Sequence, residues 1–199
     1  MRRFKEAAAE IVDGVLDAIE NVDPGQLDAL IEDLVRVRDE GRTLLIVGAG
    51  RSSLVGRAFA MRLMHLDFNV YIMGETITPS MEEGDVALII SGSGSTRLPV
   101  TVADMARSLG VRVLAVTSNP DSQLGRVADL AVVVPGRSKT ALEDEYHSRQ
   151  ILGQHESLTP MGTLFENACM VFLDSLIAEL MERLALTERD LRDRHTKIE

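Results

Sequence analysis

Two short segments rich in glycine and hydroxyl side chains are the first candidates for chemistry in this sequence. GAGRSS occupies 48–53 and SGSGST occupies 91–96, and each follows an apolar run typical of a strand buried on both faces. Glycines let successive backbone N–H groups and a helix N-terminus point at one anion, while Ser and Thr hydroxyls donate further hydrogen bonds. The pattern therefore predicts a site for a phosphate monoester. Its candidate binding residues are Gly50, Arg51 and Ser52 in the first loop and Ser91, Gly92, Ser93, Gly94, Ser95 and Thr96 in the second.

The known nucleotide-binding fingerprints fit neither loop. The dinucleotide pattern G-x-G-x-x-G needs a third glycine where Ser53 stands, and a P-loop needs Gly-Lys-Ser/Thr, which neither loop contains. Ordinary turns and caps are the alternative, with Ser52 or Ser95 capping a helix and the glycines supplying a positive φ. Arg51 can offset the charge of an anion, but an exposed arginine at a helix start is equally ordinary. Two such loops at one edge of a sheet favour a ligand over caps.

The elements that must position these loops alternate between strands and helices. Short apolar runs predict five strands, and helical periodicity predicts helices at 52–66 and 96–109 between them. Buried strands that alternate with helices indicate a parallel sheet with right-handed crossovers, and so an α/β fold. In the strand order 2-1-3-4-5, strands one and three are neighbours where the order reverses, so both loops face one crevice. The predicted strands are 43–48, 69–74, 85–91, 111–117 and 129–135.

Helical periodicity also covers the two ends of the chain. Two amphipathic N-terminal helices are predicted, with Asp23 capping the second and Pro24 in its first turn. The polar stretch 136–160 is long enough to suggest a lid or a subunit contact, with a solvated linker as the alternative. No break in composition divides the chain. The expected layout is one domain over 1–199, with N-terminal helices at 3–40, a sheet core at 43–135, and a C-terminal helix and tail at 163–199.

Charge and composition exclude several classes of protein. The formal net charge of -10 argues against a nucleic-acid or anionic-membrane partner, because both require a basic face. No apolar run approaches the ~18 residues needed to cross a bilayer, and the N-terminus lacks the apolar core of a signal peptide, so we expect a cytoplasmic protein. The single cysteine, Cys169, lies at helical spacing among apolar residues, which favours a buried thiol over a nucleophile.

Several longer segments resemble one family. GAGRSSLVGRAFAMRLMHL, SGSGST, PMGTLFE and the closing RHTKIE are similar to the sugar isomerase (SIS) domain family, and within it to the 6-phospho-3-hexuloisomerases. Ser53 stands where that family usually has glycine, and Ser95 stands where it often has glutamate. The resemblance implies a three-layer αβα sandwich with a five-stranded parallel sheet. It also implies an enzyme of the ribulose monophosphate pathway that interconverts D-arabino-3-hexulose 6-phosphate and fructose 6-phosphate.

The resemblance also implies roles for single residues. Glu166 matches the family's catalytic glutamate, whereas its spacing from Thr163 is equally that of a capping box. His65 is expected to be a second catalytic residue acting across a subunit contact, with a core or interface histidine as the alternative. The reaction abstracts a proton next to a ketone and passes through an enediol, and it implies no cofactor and no metal. A homotetramer is expected. A non-catalytic phosphosugar sensor and another SIS-type isomerase remain alternatives.

The tail after Leu186 gives two opposed indications. Leu191 and Ile198 are its only large aliphatic residues, so the pattern predicts that no apolar helix stripe holds it to the core, and fraying is the ordinary expectation. The RHTKIE ending, however, resembles the end of the hexuloisomerase family. On that resemblance we expect the tail to fold over a crevice, of its own or a neighbouring subunit, with His195 reaching the sugar.

Overall fold

The computed structural model describes residues 1–136, 158–160 and 162–195. The stretch 136–160, expected to form a lid or a subunit contact, lies outside the described residues except at its two ends. The last four residues of the RHTKIE ending lie outside them as well.

The sheet has five parallel strands in the order β2-β1-β3-β4-β5, as predicted. The apolar runs that indicated these strands are buried, and β3 is buried along its whole length. Gly48 pairs with Ile90 at the carboxyl ends of β1 and β3, so the two glycine and serine loops leave the sheet side by side. The strands are β1 Thr43–Gly48, β2 Asn69–Ile72, β3 Val86–Ile90, β4 Arg112–Thr117 and β5 Leu130–Val133.

The helices follow the predicted periodicity closely. Asp23 caps the second helix by accepting a hydrogen bond of 2.8 Å from the backbone N–H of Gln26, and Pro24 occupies the first turn, as predicted. The helices are α1 Arg2–Glu20, α2 Pro24–Asp39, α3 Arg51–His65, α4 Arg97–Ser108, α5 Gln123–Val127, α6 Thr163–Arg183 and α7 Glu188–Arg194.

The hydrophobic core has two parts, one on each face of the sheet. Leu44 and Ile46 of β1 pack with residues of α1, α2, α3 and α6 on the first face. Leu45 and Val47 point the other way and pack with residues of α4 and α5. Alternate residues of each strand therefore enter opposite layers, which gives the three-layer αβα sandwich. Cys169 of α6 is fully buried in the first layer, and burial raises the pKa of its thiol, so it is not an accessible nucleophile.

The tail contains a helix that the sequence pattern did not indicate. In α7 the side chains of Thr187 and Asp190 form a capping box, and hydrogen bonds from Thr187 lower the pKa of the Asp190 carboxyl. Leu191 is partly buried against the first core layer, and Arg194 forms an ion pair of 3.1 Å with Asp67 at the end of α3. The tail thus lacks an apolar helix stripe, as predicted, but one leucine and a long-range ion pair hold it to the rest of the chain instead of the expected fraying.

No helix in residues 1–136, 158–160 and 162–195 combines the length and apolar character that a bilayer span requires.

Candidate active site

A crevice of about 180 Å³ lies at the carboxyl ends of β1 and β3, where the strand order reverses. This is the place where parallel α/β sheets bind ligands. Both glycine and serine loops contribute to its wall, and the start of α6 closes the third side. Its lining residues are Ala49, Gly50, Arg51, Ser52, Ile90, Ser91, Gly92, Ser93, Thr96, Pro99, Gly162, Phe165 and Glu166.

The second loop gathers three hydroxyl groups around the start of α4. The Thr96 hydroxyl lies 3.5 Å from that of Ser91 and 3.4 Å from that of Ser93, at the outer limit of hydrogen bonding. Thr96, not Ser95, is the N-cap residue, and its side chain makes no capping hydrogen bond. The capping alternative therefore fails for this loop. The hydroxyls and the first N–H groups of α4 remain available to an anion in the crevice.

Gly94 and Ser95 were predicted to bind phosphate, but they do not line the crevice. Gly94 has a φ of +60°, and a Cβ there would overlap the side chain of Ser122, the residue that caps α5. Its carbonyl accepts a hydrogen bond of 2.9 Å from the backbone N–H of Leu124. Ser95 is exposed, and its backbone N–H donates to the Ser93 hydroxyl. Gly94 therefore holds the loop against α5, and Ser95 supports Ser93.

The first loop turns the chain sharply from β1 into α3. Gly50 is the N-cap residue with a φ of +58°, a conformation that favours glycine. Ser52 is the second residue of α3, so it does not cap the helix, and its nearly buried side chain lines the crevice. Ser53 stands where the dinucleotide pattern needs glycine, and its hydroxyl donates to the carbonyl oxygen of Gly50 at 2.6 Å. The loop is thus closed on itself by Ser53 and presents Ser52 to the crevice.

Glu166 lies across the crevice from the hydroxyl groups. Its side chain is only 13% exposed and forms an ion pair with the guanidinium of Arg51, which is 60% exposed. The N-cap of α6 is Gly162, not Thr163, and among the described residues no side chain caps this helix end. The capping-box alternative for Glu166 is therefore excluded. Gly162 has a φ of +86°, and a Cβ there would lie 3.1 Å from a Glu166 carboxylate oxygen, so glycine leaves the carboxylate its space.

His65 and His195 lie together at the opposite end of α3. Their ring centroids are 5.2 Å apart, and both rings line a separate cavity of about 250 Å³ with Arg62 and residues of α7. Burial lowers the pKa of His65, and the positive charges of His195 and Arg62 lower it further. At 1.5 Å per residue, α3 places His65 ~20 Å from Arg51. Neither histidine therefore lines the crevice of its own chain.

Sequence reasoning missed several residues of the crevice lining, of which Phe165 and Gly162 lie beside Glu166. An apolar residue at the start of an apolar helix is ordinarily core, and Phe165 is indeed 2% exposed. Gly162 could have been predicted as the N-cap of the last helix, because glycine is common at that position and Gly162 directly precedes the helical pattern.

Comparison with known proteins identifies the family. The family model described as the SIS domain matches residues 38–150. An uncharacterized protein of Aeropyrum pernix is 51% identical over 96% of this chain and 90% of its own length. A 3-hexulose-6-phosphate isomerase of Bacillus subtilis is 36% identical over 98% of both chains.

A solved structure agrees along the full length. It is the crystal structure of a Methanococcus jannaschii protein that is described as inferring a molecular function of 3-hexulose-6-phosphate isomerase. This structure matches with a TM-score of 0.76 and 33% identity over 100% of both chains. Because the family model covers more than half of the sequence and the relatives cover nearly all of it, the chain belongs to the SIS domain family.

Proposed function

We propose that this protein is an isomerase that interconverts D-arabino-3-hexulose 6-phosphate and fructose 6-phosphate, a step of the ribulose monophosphate pathway. The observation that carries the proposal is the carboxylate of Glu166 in the same crevice as the hydroxyl groups of the second loop. The similarity to the Bacillus subtilis protein named 3-hexulose-6-phosphate isomerase supports this substrate pair. A carboxylate beside a phosphate site repels the ligand, so it opposes simple binding and favours a role in proton transfer.

The second loop is the proposed phosphate site. Ser91, Ser93 and Thr96 offer hydroxyl donors, and the start of α4 offers backbone N–H groups. These donors matter because the protein carries a net charge of -10 and has no general attraction for a dianion. Arg51 is the cation among the described residues that line the crevice, and its exposed guanidinium can move from Glu166 toward the phosphate when substrate enters.

Glu166 is the proposed base for both proton transfers at carbon. In the 3-ketose it takes the proton from C2, the C2=C3 double bond of an enediol forms, and O3 gains a proton. The same carboxyl then returns a proton to C3 while O2 loses its proton, which gives the 2-ketose. One base on one face of the sugar is sufficient for both steps, because C2 and C3 are adjacent. A second group must give a proton to O3 and take the proton from O2. We assign this role to His65 of a neighbouring subunit.

A homotetramer with its sites at subunit contacts is part of the proposal. Two helices keep large apolar side chains exposed in the single chain, which favours burial against other copies. Because α3 holds His65 far from its own crevice, only a neighbouring copy can bring it to the substrate. Light scattering tests the assembly, and a monomer would contradict both the tetramer and the role of His65. The exposed side chains are Phe4, Val12 and Leu16 of α1 and Leu54, Met61 and Met64 of α3.

Deuterium exchange tests the proposed reaction directly. Pure protein is incubated with fructose 6-phosphate in deuterated water, and the sugar is examined by NMR. We expect deuterium at C3, because the reverse reaction abstracts that proton. Deuterium at C1 would instead indicate an isomerase that makes an aldose. A thermal shift with fructose 6-phosphate but no exchange at any carbon would indicate a sensor.

A further inference from the structure

Phe165 packs against the second loop at Gly92 and against the segment after β5 at Gly136. Its ring rests on the backbone of Gly92, where an added Cβ would lie 2.7 Å from Cδ1 and 2.8 Å from Cγ of the ring. On its other side Gly136, which follows β5, lies against the backbone of α6. A Cβ on Gly136 would lie 2.7 Å from the Phe165 Cα. Phe165 is thus held from two directions by residues without side chains.

These two glycines are required for space and not for backbone conformation. Neither Gly92 nor Gly136 has a positive φ, unlike Gly50 and Gly94 in the two loops. A residue with a side chain could adopt their backbone angles, but its Cβ would meet Phe165 at distances that real contacts do not allow. The presence of glycine at both positions is therefore explained by the close approach of Phe165.

Gly92 is itself anchored to the sheet. Its carbonyl oxygen accepts hydrogen bonds from the backbone N–H of Ser118 at 3.1 Å, the Ser118 hydroxyl at 2.7 Å and the Thr117 hydroxyl at 3.2 Å. Hydrogen bonds from the end of β4 thus fix the backbone of the second loop at Gly92, the same residue against which the Phe165 ring packs. Glu166 is the next residue after Phe165, so its position relative to the loop depends on this contact.

We propose that Phe165 is a positioning residue that fixes the Glu166 carboxylate relative to the phosphate held by the second loop. This inference rests on the proposed function and adds a residue through which the phosphate site and the base are coupled. Proton abstraction needs the base within hydrogen-bonding reach of one carbon, and misplacement by ~1 Å can cost about a hundredfold in rate. The buried Phe165 ring, packed against Gly92 and adjacent in sequence to Glu166, supplies that precision.

The first test compares two buried phenylalanines of α6. Phe165→Ala should lower kcat about 30- to 100-fold. KM should change much less, because the variant keeps every hydroxyl donor and the Gly92 carbonyl stays hydrogen-bonded to Thr117 and Ser118 even though the loop becomes more mobile. Phe172→Ala is the matched control, since Phe172 is 3% exposed on the same helix but lies away from the crevice lining. It should lower the melting temperature to a similar extent and leave kcat within about twofold. Phe165→Leu provides an intermediate change should the alanine variant fail to fold.

The second test is a double-mutant cycle with Gly92. Gly92→Ala should lower kcat/KM at least about 30-fold in the natural background, but less than about threefold in the Phe165→Ala background, because the clash with the ring is then absent. Equal losses in both backgrounds would show that Gly92 acts without Phe165 and would overturn the proposal. Equal kcat losses for Phe165→Ala and Phe172→Ala would overturn it too.

Hydrogen exchange separates this inference from the proposed function. The amides of residues 92–96 should exchange faster in Phe165→Ala than in Phe172→Ala, whatever reaction the protein catalyses. If the natural protein does not interconvert the two sugar phosphates, the proposed function is wrong, and the exchange rates still decide whether Phe165 holds the loop. If the amides of residues 92–96 exchange at the same rate in Phe165→Ala as in the natural protein, Phe165 does not hold the second loop and the proposal is wrong.

Discussion

Replacing Glu166 by glutamine separates the role of this residue as a base from its role in the fold. The amide keeps the size of the side chain and can still accept a hydrogen bond from Arg51, but it cannot take a proton from carbon. We expect kcat to fall about 100- to 10,000-fold, the usual contribution of a general base. The affinity for fructose 6-phosphate should stay equal or improve. The substitution removes the negative charge that repels the phosphate, and it leaves Arg51 available to the phosphate.

The stability cost of that substitution should be small. Arg51 is 60% exposed, and ion pairs screened by solvent to this degree contribute only ~0–1 kcal/mol to the free energy of unfolding. Glu179→Gln is the matched control, because it removes an exposed carboxylate that pairs with Arg183 on the same helix. For both variants, turnover assays measure kcat, melting curves measure stability, and calorimetry measures the affinity for fructose 6-phosphate. If Glu166→Gln keeps more than a tenth of kcat, or loses activity only in proportion to folded protein, Glu166 is not the base.

Three further predictions concern the phosphate loop, the tail and His65. Ser93→Ala should raise KM about 10- to 150-fold, since a hydrogen bond to a charged group contributes ~1.5–3 kcal/mol, and an unchanged KM would remove Ser93 from the site. Deleting 188–199 should lower turnover or affinity at least about tenfold, with a modest loss of melting temperature from Leu191, and full activity would show that His195 does not serve the site. Burial and nearby positive charge depress the pKa of His65, so its contribution to stability is complete above its ordinary pKa of about 6.5 and is lost as the pH falls through the depressed value. The melting temperature of His65→Gln should therefore fall less steeply on acidification than that of the natural protein. An unchanged slope would show that His65 does not have a depressed pKa in the folded protein.

The fold was predictable because its signals are local in sequence. Each strand is a short apolar run, and the strand order 2-1-3-4-5 predicted from these runs already places both small-residue loops at one crevice. The direction of each loop residue was not predictable in this way. Gly94 turns toward α5 and Ser95 toward solvent, and only the packing of α5 against the loop decides between these directions.

The role of Glu166 shows a limit of spacing arguments. Thr163 and Glu166 have the spacing of a capping box, and a catalytic glutamate at the same position would look identical in sequence. A helix boundary shifted by one residue decides whether the capping box can form. The structure starts α6 at Thr163 with Gly162 as cap, which leaves the Glu166 carboxylate to Arg51. Phe165 was missed for a related reason, because sequence alone does not distinguish an aromatic ring in the core from one that also rests on a binding loop.

The length of α3 has a consequence for mixtures of variants. Glu166 serves the crevice near the first residue of this helix, whereas His65, at its last residue, is ~20 Å away and faces a neighbour in the proposed tetramer. A subunit lacking Glu166 and a subunit lacking His65 would each impair a different crevice. Refolded together, the two defective proteins would form mixed assemblies in which some crevices contain both groups, and part of the activity would return by complementation between subunits.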